Sequence, residues 1–124
     1  MDMTNLNQAA SNLKGLLDKE AKAWLDGNRE ALVTFTEDQV KAIFEDVVFE
    51  HIAIPDLPPN ASADAAADRE ELCLRKDQAA QLFAAAKLKH AELSAELRSK
   101  AIGVLAKVAG GVAGLGLTLL KGVV

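Results

Sequence analysis

The chain has 124 residues, 50% of them hydrophobic and only 4% aromatic, with 18 Asp and Glu against 14 Lys and Arg. That size bounds it to one small domain, and with one Trp, four Phe and no Tyr its core must be built from Leu, Val, Ile and Ala. The single Cys73 excludes a disulfide scaffold, the lack of a glycine repeat excludes collagen, and the apolar fraction excludes wholesale disorder.

The charge is unevenly distributed along the chain. Residues 1–96 carry 18 acidic and 10 basic side chains, a net of −8, whereas 97–124 carry Arg98, Lys100, Lys107 and Lys121 and no acid. An acidic body repels nucleic-acid phosphates, and four cations without aromatic partners make a poor groove for bases, so no nucleic-acid partner is expected. Residues 1–8 contain Asp2 and no apolar stretch, which points to cytoplasmic synthesis without a secretory signal peptide.

In chain order, Leu6, Ala10, Leu13, Leu17 and Trp24 recur at steps of three, four and seven, the stripe of an amphipathic helix. It is expected to begin near Thr4 and to stop at Asp26-Gly27-Asn28, with Gly27 suited to a left-handed C-cap. Residues 29–36 fit either a helical start or a short strand through Ala31, Val33 and Phe35. Thr36-Glu37-Asp38-Gln39 matches a capping box, with Phe35 and Val40 placed as the hydrophobic staple. A second helix is therefore expected from Glu37 to about Glu50, burying Val40, Ile43, Phe44, Val47 and Val48, while the β-branched run from Val47 to Ile54 leaves its end open between helix and strand.

Pro55, Pro58 and Pro59 remove donors and fix φ, which makes 54–61 a linker after an N-terminal helical region 1–53. Ser62 or Asp64 can then cap a long amphipathic helix over 62–97, since no Gly or Pro occurs between Ala61 and Ile102. Its stripe of Leu72, Ala79, Phe83, Ala86, His90, Leu93 and Leu97 is heptad-like, with Lys76 interrupting it. Continued to Ile102, such a helix approaches about 60 Å, long enough to project from the body or pair with another chain. Leu72, Ala79, Phe83, Ala86, Leu93 and Leu97 are thus the expected oligomer interface.

The region 98–124 has a different texture. Lys100, Lys107, Gly114 and Lys121 are spaced by seven, and Gly103, Gly110, Gly111 and Thr118 fall near the same line of a helical wheel. The opposite face carries Val104, Leu105, Val108, Val112, Leu115 and Leu119. Six glycines among residues 101–124 each cost about 1 kcal/mol relative to Ala in a helix interior, so a compensating environment is expected. A bilayer, a membrane interface or a tightly packed protein assembly could supply it. The lysine stripe favours surface binding, or an oligomer whose lysines line a wet lumen, over a single-pass span.

Nothing in the chain reads as catalytic or metal-binding. His51 and His90 lie on different segments without metal-ligand spacing, and Cys73 next to Leu72 and Leu74 fits burial better than reactivity despite Arg75 and Lys76 nearby. The acids at 64, 68, 70 and 71 lack the pattern of a calcium loop, and the terminal glycines lack a Gly-Lys-Ser/Thr ending. An acidic helical body, a proline break and a cationic glycine-rich end together resemble small membrane-active or assembly proteins, including some encoded by bacteriophages. The expectation is an all-α, non-enzymatic protein without cofactor, built as a small bundle or hairpin. Its expected partners are membrane lipid or partner helices, in a homo-oligomer or a larger assembly such as a virion component.

Overall fold

A computed structural model describes residues 3–52, 54, 59 and 61–114, with side chains over 10–105 apart from 53, 55–58 and 60. The protein is all-α: α1 (Met3–Gly27), a 3-10 turn (Arg29–Val33), α2 (Glu37–His51), α3 (Ala63–Lys89) and α4 (Ala91–Gly114), with no strand among the described residues.

The first helix has the expected extent, but a different device ends it. Gly27 does not take the left-handed conformation; it is the last helical residue. Asn28 stops the helix instead. Its buried side-chain amide donates to the Trp24 carbonyl at 2.9 Å, and its backbone turns into the 3-10 segment. That segment makes 29–33 helical, and Thr34 to Thr36 turn into the extended N-cap of α2: Ala31 and Phe35, four apart, point inward, while Val33 is 92% exposed.

The capping box at α2 is complete. Thr36 Oγ1 accepts from the Gln39 amide at 3.1 Å, and Gln39 Oε1 accepts from the Thr36 amide at 3.1 Å. Phe35 and Val40 on either side of it are both buried, as a staple requires. The helix runs on through the β-branched stretch to His51, and Ile52 then turns extended as its C-cap. Buried residues surround its axis, with Phe44, Val40, Ile43, Val47 and Val48 at the centre, because α1, α3 and α4 all pack on it. Trp24 stacks on Phe44 with centroids 5.5 Å apart, joining the end of α1 to this centre.

Ser62 caps α3 by accepting from the Ala65 amide at 3.1 Å. The helix does not continue through residue 97 as the sequence suggests. His90 alone leaves helical geometry, at φ −147° and ψ 85°, and separates α3 from α4. The break costs little backbone pairing, since the His90 amide still donates to Ala86 and its carbonyl accepts from both the amide and the hydroxyl of Ser94. What it gains is burial: α4 folds back so that Leu97, Ala101 and Leu105 enter the core that α1 and α2 have begun. Burying one large aliphatic side chain contributes about 1.5–3 kcal/mol, more than a rearranged helical turn costs. The expected projecting rod is therefore a helical hairpin closed on its own body.

Ion pairs set the direction of α1 against α3. Ser11 bonds Asp68, Lys14 pairs with Asp68 and Glu71, and Asp18 pairs with Arg75, so both numbers rise together and the two helices run parallel.

Candidate functional site

Two regions carry chemistry that packing alone does not demand: a charged groove between α1, α2 and α3, and the outer surface of α4.

The groove, of about 670 Å³, is walled by Asp18, Asp38, Lys41, Glu45, Glu71 and Arg75, with Gln78 and Gln81. At its floor the Arg75 guanidinium bridges two helices. Nε lies 2.5 Å from Glu45 Oε1 and Nη1 lies 2.5 Å from Asp18 Oδ1. Glu45 is inside the protein, its side chain only 6% exposed, because α2 is enclosed on that side by α3. Burial raises its carboxyl above the ordinary glutamate value, outweighing the attraction of Arg75 and Lys41. Burial works to lower Arg75, but the Glu45 and Asp18 carboxylates prevail and hold the guanidinium firmly charged. Arg75 Nη2 is buried with no hydrogen-bond partner among the described residues. The walls carry more acid than base, and Ala42, Ala79 and Leu82 supply their apolar part. This cluster clamps α3 to α1 and α2, the structural use of a perturbed carboxylate.

A second charged contact ties α4 to α2. Arg98 pairs with Glu50 and lies 5.8 Å from the Phe83 ring centroid, while Asp46 nearby is raised by burial and then by Glu50. Sequence reasoning missed both clusters. The available signal was Glu45 itself, a charge amid Ile43, Phe44, Val47 and Val48 that burial in α2 would force to find a cation.

The residues expected at an oligomer seam lie elsewhere than expected. Leu72, Ala79, Ala86 and Leu97 are at most 2% exposed inside the chain's own core, and Phe83 and Leu93 pack against it. Their heptad-like spacing is real, and in this fold the packing partners of that stripe lie within the same molecule. His90 is exposed, its ring T-shaped against Phe35 with centroids 5.8 Å apart, and His51 Nδ1 lies 2.8 Å from the Val47 carbonyl. Cys73 is half-buried, with Arg69 Nη1 4.0 Å from its sulfur, and Arg75 turns instead to the acids. Among the described residues no group of three or more His, Cys, Asp or Glu could hold a metal ion.

Of the cationic face expected in 98–124, Lys100 and Gly103 are exposed, and no atom approaches the position of a Gly103 side chain within 4 Å. On the apolar face expected opposite the lysines, Leu105 is 1% exposed and belongs to the core, whereas Val104 is 38% exposed. The helix backbone carries Lys107, Val108, Gly110, Gly111, Val112 and Gly114, whose side chains lie outside the described residues, as do Leu115, Thr118, Leu119 and Lys121 altogether. Among the described residues no helix is long and apolar enough to cross a membrane, and α4 interleaves its apolar positions with Glu92, Glu96, Arg98, Lys100 and Lys107. The body and the cationic segment share α4, so the change of composition near Glu96 falls inside one helix.

Comparison with protein-family models, curated proteins and solved structures finds no match.

Proposed function

We propose that this protein is a non-enzymatic helical module that engages an anionic membrane surface through the cationic, glycine-rich part of α4. The observation that carries this reading is the continuity of α4. One helix begins with Leu97, Ala101 and Leu105 fixed in the core and runs on without interruption into the glycine-rich stretch as far as Gly114. Along its anchored part Lys100 is exposed, with Ile102 46% exposed and Val104 38% exposed beside it. Cations beside unburied aliphatics are what an interfacial helix needs, since lysine stems reach headgroups while the apolar residues enter the acyl boundary.

The test is sedimentation of full-length protein with vesicles of anionic or zwitterionic lipid. Binding is expected to anionic vesicles, to weaken with moderate salt, and to fall by about 1 kcal/mol for each of Lys100, Lys107 and Lys121 changed to Glu. Protein that ignores vesicles of every composition rejects the reading.

A second reading has its own support. The inward face of α4 already packs against protein through Ala101 and Leu105. A structural subunit that seats the rest of this helix in a larger assembly would use the same surface, and it would form stable particles without lipid.

A further inference from the structure

We propose that the outward face of α3 is a self-association surface on which a second copy of this chain packs antiparallel. The proposal stands apart from the lipid reading, because it concerns a different helix and is tested without lipid.

Along α3, Ala65, Leu72, Ala79 and Ala86 recur every seven residues and are at most 3% exposed. Two positions further on, about 200° round the helix, a second line recurs with the same period: Ala67, Leu74, Gln81 and Leu88. All four are exposed, Leu74 at 59% and Leu88 at 91%. A helix with one line in its core and two leucines on the opposite line in water has a face left for a further neighbour, and the described residues leave that face uncovered. Exposed Ala85 lies on the same face between the leucines and allows a close approach.

Charge selects the occupant. The exposed charges nearest this line are Glu70 towards the start of α3, Asp77 at its middle and Lys89 at its end, whereas Glu71 is taken up by Lys14 of α1. A parallel copy would set acid against acid and base against base. An antiparallel copy sets the acidic start of each helix beside the basic end of the other and brings Leu74 towards Leu88 twice by symmetry. An anionic lipid surface would repel half of the face. The strip is about 40 Å long and about 12 Å wide, of order 500 Å² per copy. That is the low end for a specific pair, so the dimer is reversible and micromolar rather than permanent.

Sedimentation velocity on full-length protein in lipid-free buffer reads the outcome. The wild type is expected to shift from monomer to dimer over a micromolar concentration series. Leu74→Gln and Leu88→Gln, both at exposed positions that leave the core intact, should each weaken association at least about tenfold with unchanged circular dichroism. Glu70→Lys alone and Lys89→Glu alone should also weaken it, and the two reversals in one chain should restore it. A wild type that stays monomeric overturns the proposal, as does a dimer indifferent to both leucines. Failure of the double reversal to restore association overturns the antiparallel arrangement. If the leucine variants instead lose vesicle binding by a monomeric wild type, the face belongs to lipid and the proposal falls.

Discussion

Arg75 Nε and Glu45 Oε1 meet at 2.5 Å across the α2–α3 interface, a buried ion pair thirty residues apart in sequence whose acid is almost wholly enclosed. Taking both charges out of water costs several kcal/mol, which their attraction and the added Asp18 contact must offset. The pair therefore does more to specify where α3 docks than to raise stability.

Removing one partner should separate these two effects. Arg75→Met leaves Glu45 buried without its cation and should cost about 3–5 kcal/mol in urea denaturation at pH 7. The double replacement Arg75→Met with Glu45→Leu should recover most of that loss. A double variant as unstable as the single one would show that the pair contributes net stability.

Glu45 should also make stability depend on pH in a definite direction. Its folded carboxyl lies above the ordinary value of 4.5, so the folded protein holds the proton more tightly than the unfolded chain. Its contribution grows as pH falls through the raised value and is complete below about 4.5. Asp46 acts in the same sense and is present in both proteins compared. Urea midpoints of the wild type relative to Glu45→Gln should therefore rise between pH 7 and pH 4.5. A relative fall would mean that the Arg75 pairing, not burial, governs this carboxyl.

The capping box gives a local test. Thr36→Ala deletes the oxygen that accepts from the Gln39 amide and should cost about 0.5–2 kcal/mol. Thr34→Ala, two residues earlier and outside the cap, should be milder. Equal urea midpoints for the two variants would contradict the role given to Thr36.

Truncation tests where the body ends. A fragment ending at Leu105 keeps Ala101 and Leu105 in the core, whereas one ending at Leu97 removes both. Both should be helical by circular dichroism, and the shorter should be less stable by about 2 kcal/mol or more for the lost Leu105 side chain alone. Indistinguishable thermal unfolding would place the end of the body at Leu97.

Much of the fold was legible where the signals are local. The α1 stripe, the Thr36 cap and the Ser62 cap each depend on residues within a turn or two of one another, and the structure carries all three. The break at His90 escaped notice because neither Gly nor Pro marks it. Its trace was electrostatic: Lys87 and Lys89 close α3 and Glu92 opens α4, the charges that suit a helix end and a helix start. The Leu72, Ala79 and Ala86 periodicity announced burial correctly but could not say against which chain, since a heptad carries no address. The Asp18, Arg75 and Glu45 cluster joins three helices, so the sequence around Glu45 marks a charge among apolar residues but cannot name the cation that meets it.

The enclosure of α2 has a consequence during synthesis. A ribosome releases this helix, apolar around most of its circumference, well before Ala101 and Leu105 exist to cover its α4 side. The nascent chain thus exposes Phe44 and its neighbours for the time needed to translate two further helices, an interval of seconds at about 5–20 residues per second. Through that interval a chaperone that holds aliphatic helices has a substrate, and crowding of unfinished chains on one message favours their aggregation through α2 rather than through any surface of the finished protein.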